Sequence, residues 1–266
     1  MHRYIDIQAN TAHWQEGGNR MLKMIKAEHL KSRHTFGKYL PVIFPILAVL
    51  LAYSLMRGNM MPEGTWNWWY AMLLPGMLAV LCHLGMTKEK KMHYFNLYCL
   101  SIPTGKYLMG KMIYWGFCLL LANFLIFIGA WIVGDLFGTT ISLMGGFWGF
   151  VLLTITYLWE IPLYMLLSSR FGMFISIFSC MVITVGSVVA IAHSKLWWVI
   201  PSAIPVRLMC PILGIMPNGL LVPADNKLLD TGVIFPGILL SLAWFVLMSY
   251  LTIFWFERKV GGQEGG

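Results

Sequence analysis

TKEKKMHYFNLYCLSIPTGKYLMGK, residues 87–111, is a polar break between two long apolar runs, and the rest of the chain is ordered around it. It opens on Lys88, Lys90 and Lys91. Met92, Phe95, Cys99 and Ile102 then recur at spacings of three and four, which places them on one face of a helix. Pro103 and Gly105 end that helix, and Lys106 and Lys111 follow. A short basic helix with one apolar stripe, set between two membrane spans, lies along the cytoplasmic surface. Two readings stand at this point. It is a loop with a solvated charge run, or it is a docking element through which a cytoplasmic partner drives the flanking spans. In the second reading Lys91, Met92, Phe95, Cys99 and Ile102 carry the contact.

Composition sets the class. Hydrophobic residues make up 58% of the 266 and charged residues 11%, less than half the roughly 25% of a soluble domain. Mean hydropathy is +0.70. The expected fold is therefore an all-α integral membrane protein. A net charge of +8 invites a nucleic-acid reading, but the basic residues fall in the polar breaks instead of on one soluble face, so no nucleic-acid partner is expected. Five cysteines (Cys82, Cys99, Cys118, Cys180, Cys210) follow no metal or redox spacing.

Outward from the opening stretch, six apolar runs are each long enough to cross about 30 Å of hydrocarbon. They lie at roughly 39–56, 68–86, 112–133, 146–168, 172–192 and 233–255. Residues 21–38 mix Leu22, Ile25 and Leu30 with Lys23, Lys26, Lys31, Arg33 and Lys38, the pattern of a basic amphipathic helix on the inner membrane surface. With both termini inside, fifteen of the nineteen Lys and Arg residues face the cytoplasm, and only Arg57, Lys195, Arg207 and Lys227 face outward. Residues 39–256 form the six-span domain and 257–266 a cytoplasmic tail. Trp66, Trp68 and Trp69 are expected as an aromatic belt at the head of the second span.

The last outer connection, 193–232, is apolar yet carries Pro201, Pro205, Pro211, Pro217 and Pro223, which forbid an uninterrupted spanning helix. Short helices or re-entrant turns in the outer leaflet are expected, anchored by Trp197, Trp198 and Arg207. As a lid this segment only packs the bundle; as a ligand surface it presents Trp197, Trp198, Arg207 and Asn218. Within the fourth span stands one acid, Glu160, in TYLWEIPLYML. A charge at mid-bilayer costs about 2.5–3.5 kcal/mol, so Glu160 is expected to face the interior and to pair with a cation such as Arg170 or one from a neighbouring subunit. A transport role is the alternative.

No phosphate loop, HExxH or GxSxG motif occurs. No catalytic or metal-binding residue is therefore assigned, and any work done on the membrane draws on energy from another subunit.

AEHLK ahead of the first span, the loop ending SIPTGKYLMGK, LWEIPLYMLLSSRFG, and PSAIPVRLMCPILGIMPNG together resemble lantibiotic-immunity ABC transporter permeases of the MutE/EpiE type, within the ABC-2 permease group. The resemblance runs from about Met21 to Lys259, with CPILGIMPNG its most specific piece. It implies that the 87–111 stretch holds a coupling helix docking on a separate ABC ATPase, expected in two copies, which binds the ATP and Mg. It also implies a second related six-span permease, a bacterial cytoplasmic membrane location, and an amphipathic peptide antibiotic expelled outward. The competing function is a non-transporting sensor or scaffold that binds peptide or lipid II through the outer segment. An intramembrane enzyme is the third.

Residues 1–20 share neither the composition nor the family pattern. They are expected to be an upstream extension, with the natural start at Met21. Glu16-Gly17-Gly18 can be written GAAGGAGGA, a purine-rich ribosome-binding sequence, and Glu264-Gly265-Gly266 repeats the possibility for a following gene. A genuine flexible tail is the alternative.

Overall fold

A computed structural model describes residues 21–33, 35–56, 58, 60–92, 103–188 and 195–261. Among these the regular structure is helical, apart from an isolated antiparallel bridge between Ile215 and Leu221. Residues 1–20 and their expected status lie outside the described residues.

The first helix, α1 (21–32), follows the amphipathic pattern in part. It buries Glu28 and half-buries Met24 and Ile25, yet leaves Leu22 and Leu30 60% exposed beside Lys23 and Lys26. Its packed face meets a long helix at Gly110, where an added Cβ would sit 3.1 Å from Met24 Cβ. A helical turn at Phe36–Tyr39 leads into α2 (Leu40–Leu55). This span buries a narrow stripe (Leu40, Pro45, Ala48, Ala52) and turns Val42, Ile46, Leu50 and Tyr53 outward. In a membrane that outward face meets lipid.

The second span runs unbroken over Met61–Lys91 but changes pitch. Helix α3 (Met61–Trp68) passes through a π turn at Trp69–Leu73 into α4 (Leu74–Lys91). Pro75 has no N–H to give the carbonyl four residues back, and the wider turn absorbs the mismatch. The expected start at 68 is seven residues late. The aromatic belt also fails: Trp66 and Trp69 are 1% and 0% exposed and form core. The polar residues around them (Glu63, Asn67) are themselves buried, so the span extends further than apolarity alone marks.

Helix α5 (Thr104–Phe137) has 34 residues. Next come α6 (Leu143–Tyr157) and α7 (Glu160–Phe171), bent by 41° at the break between them. Pro162 explains the bend, because it leaves the Leu158 carbonyl without its helical donor; Ile161 N donates to it instead, at 3.2 Å. Gly172, at φ +88°, reverses the chain into α8 (Met173–Gly186). Beyond a turn at Lys195–Trp198, α9 (Ala203–Leu213) is buried along nearly its whole length, and Gly214 at φ +69° caps it. The last helix is α10 (Ile234–Gly261).

Among the described residues four helices are long and apolar enough to cross a membrane, and the bent α6–α7 pair makes a fifth if it is taken as one span. The fifth expected span, 172–192, coincides with α8, whose 14 residues rise only about 21 Å; its residues 189–192 lie outside the described residues. Helix α4 packs on α7 and α8, α2 on α5, α5 on α6, and α9 on α6. At the joint of these helices Trp69, Tyr70, Tyr157 and Tyr164 are fully buried.

Candidate functional site

Two ends of the bundle and its middle each hold part of the chemistry. At the basic end, α4 closes on Lys88, Lys90 and Lys91, and Met92 follows it. Lys91 and Met92 are exposed. Phe95, Cys99 and Ile102, and with them the expected coupling helix, lie outside the described residues.

Beside that connection is a cluster the sequence reading missed. Lys111 on α5 is 1% exposed, and its Nζ donates to Glu28 Oε2 at 2.7 Å and to Glu89 Oε1 at 2.9 Å. Lys31 on α1 donates to Glu28 Oε1 at 2.8 Å, Glu89 Oε1 at 3.1 Å and the Tyr107 hydroxyl at 3.0 Å. Both ammonium groups stand about 5 Å over the Tyr107 ring. Two lysines and two glutamates thus alternate in a closed ring that joins α1, α4 and α5. Burial by itself pulls the Lys31 pKa down, but the hydrogen bond and charge of Glu28, with the charge of Glu89, overcome it and raise the value above 10.5. Lys88 Nζ adds a bond to the Lys31 carbonyl at 2.8 Å. The ring fastens both flanks of the 93–102 connection to one surface helix.

At the opposite end the four expected residues separate into two roles. Trp197 is buried, and the Arg207 guanidinium lies 5.9 Å from its ring centre. Arg207 is also buried and donates to the carbonyls of Leu228 at 2.7 Å and Lys227 at 3.1 Å. Arg207 holds the 227–229 turn onto α9, and both side chains are buried in the packing. Trp198, stacked on Trp197, is 40% exposed. Asn218 accepts from Leu220 N at 3.2 Å and borders a cavity. The lid reading therefore describes Trp197 and Arg207, and the surface reading keeps Trp198 and Asn218. We expect Trp197→Ala to lower the level of the protein in the membrane, whereas Trp198→Ala should leave it unchanged; immunoblots of membrane fractions separate the two.

Glu160 stands at the first turn of α7, 1% exposed; its carboxyl group has a side-chain hydrogen bond with Tyr164, and its Oε2 has no hydrogen-bond partner among the described residues. Arg170 is not its partner: it sits ten residues on, roughly 15 Å along the helix, exposed, with its guanidinium over Phe171. The expected ion pair is absent because both residues share one helix and point to different surroundings. Cys82, Tyr157, Tyr164 and Cys180 lie within electrostatic reach of the carboxyl group. Just above it, the Tyr157 hydroxyl donates to the Tyr70 carbonyl in the π turn. Asn67 Nδ2 in turn donates to the Tyr70 hydroxyl at 3.0 Å and the Pro217 carbonyl at 3.1 Å. A polar thread thus runs from the 214–222 turn to the bend before Glu160.

The cavity bordered by Asn218 measures about 470 Å³, within the range of small-molecule sites. Phe44 and Met56 close one side, the Asn67–Val80 face of the second span and the Ile177–Val185 face of α8, with Val188 just beyond it, form its length, and Pro217–Asn218 roof it. No protein-family model matches the chain, and no curated protein matches it at a significant level.

Proposed function

We propose that the chain is the permease subunit of an ATP-driven exporter that clears lantibiotic-like amphipathic peptides from a bacterial cytoplasmic membrane. In this reading it crosses six times, with α8 as the core of the fifth crossing and α10 as the sixth, and both termini are cytoplasmic. The lysine asymmetry supports that orientation. The observation that carries the proposal is the ring of Glu28, Lys31, Glu89 and Lys111. It binds both flanks of a basic connection to a surface helix, so a force applied there moves the second and third spans together and not the loop alone. A separate ATPase would supply that force, since the chain carries no nucleotide-binding motif. A second, related permease would complete the membrane part.

Purification from the native membrane tests this. An ABC ATPase and a second six-span protein should co-purify, and Phe95→Asp should release the ATPase and abolish resistance while the protein stays inserted. Retention of both in the variant, or recovery of the chain alone under conditions that keep membrane complexes intact, sinks the proposal.

A further inference from the structure

We infer that the 470 Å³ cavity is a lateral binding slot for one hydrocarbon tail of a membrane lipid, taken from the leaflet farther from the basic end. The inference stands apart from the exporter reading and survives its failure. Shape is the first argument. The cavity wall follows the second span from Trp68 to Val80, twelve residues or about 18 Å of rise, so the space is long and lies along the helices. The second argument is access. Met72, Met181 and Val185 line the cavity and are 45%, 50% and 54% exposed, so the bundle does not seal it on that side. A slot whose rim belongs to the membrane-facing surface opens to the bilayer.

Chemistry chooses the occupant. The walls are apolar along most of their length, and the Asn67 amide already donates to Tyr70 and Pro217. A peptide backbone entering here would leave its N–H and C=O groups without partners, which an apolar wall strongly disfavours. An alkyl chain carries no such groups and gains from every contact. The roof at Pro217–Asn218 leaves the polar end of the lipid at the level of the membrane surface, where Asn218 offers its amide.

Gly76 makes the test clean. An ideal Cβ there meets nothing within 4 Å, so a phenylalanine side chain starts out in open space on the wall of the slot. The full-length protein is placed in phosphatidylcholine–phosphatidylglycerol nanodiscs containing a lipid with a photoreactive diazirine near the middle of one acyl chain, then irradiated and mapped by mass spectrometry. Adducts should concentrate on the peptides carrying Met72 and Met181. Gly76→Phe should reduce them about tenfold, the change expected when a ring displaces two buried methylenes, while Gly76→Ala leaves them near wild type. Val185→Trp, which closes the rim from outside, is the second variant should Gly76→Phe fail to fold. Labelling spread evenly over outward residues such as Phe117 and Leu136, or slot adducts unchanged in Gly76→Phe or Val185→Trp, overturns the inference. So does their replacement by cross-links to a second protein chain.

Discussion

Lys111→Met should nearly abolish accumulation of the intact protein. The side chain is 1% exposed and serves two carboxylates, Glu28 and Glu89, that are themselves buried. Methionine fills the volume but leaves two buried negative charges sharing Lys31 alone. Breaking a buried ion pair by removing one partner costs about 3–5 kcal/mol, a large share of a marginal total of about 5–15 kcal/mol. Removing one charge of each sign is a different experiment. Lys111→Met combined with Glu89→Gln takes out one charge of each sign, and abundance should recover in the double variant. Thermal unfolding in mild detergent and protease cleavage within α1 report the two effects. A single variant that accumulates normally, with α1 still protected, shows that the ring is not what holds this end together. The pH dependence has a definite sign. Because the Lys31 pKa is raised above 10.5, its contribution is complete below that value and is lost only as pH climbs through the raised one. The Lys31 contribution to docking α1 is therefore constant across the physiological range.

Gly85→Val should be the second most damaging change. A Cβ at Gly85 would lie 2.3 Å from Cζ2 of Trp115 and 3.1 Å from Cη2, which no relaxed structure tolerates. The indole is 3% exposed, with the Lys111 ammonium 5.9 Å from its ring centre, so it has little room to retreat. Overpacking of this kind costs about 1–3 kcal/mol, and the valine branches place it at the upper end. Trp115→Phe in the same chain should restore much of the loss by withdrawing the offending edge. Equal stability of Gly85→Val and Gly76→Ala, where the added atom meets open space, would contradict the assigned helix contact.

Apolar runs exposed most of the helices to sequence reading because lipid and core both demand hydrophobic residues, and the prolines at 75 and 162 mark where two of them yield. Apolarity does not say which side of a helix is core. Trp66 and Trp69 therefore passed for interfacial residues, although they sit at the centre of the packing. The charge ring draws Glu28 and Lys31 from one segment, Glu89 from a second and Lys111 from a third. Each, taken within its own segment, has the look of a solvated charge. Glu160 and Arg170 failed as a pair for the converse reason, since nearness along the chain was mistaken for nearness in space. Trp198 and Asn218 were separable from Trp197 and Arg207 only once α9 was seen to be buried.

The length of α5 sets a vertical scale. Its 34 residues rise about 51 Å against a hydrocarbon layer of about 30 Å, so with its far end flush with one membrane face it overshoots the other by roughly 20 Å. The overshoot is a rigid pillar, buttressed by α1 through Lys111. Whatever rests on its tip is held at a fixed altitude above the lipid headgroups, and that altitude is counted in helical turns. Four residues added to the pillar would raise the tip by about 6 Å while turning it only about 40° from its original bearing. Two residues would raise it half as far and swing it most of the way to the opposite side. Height and heading at that tip are therefore locked together by the pitch of one helix.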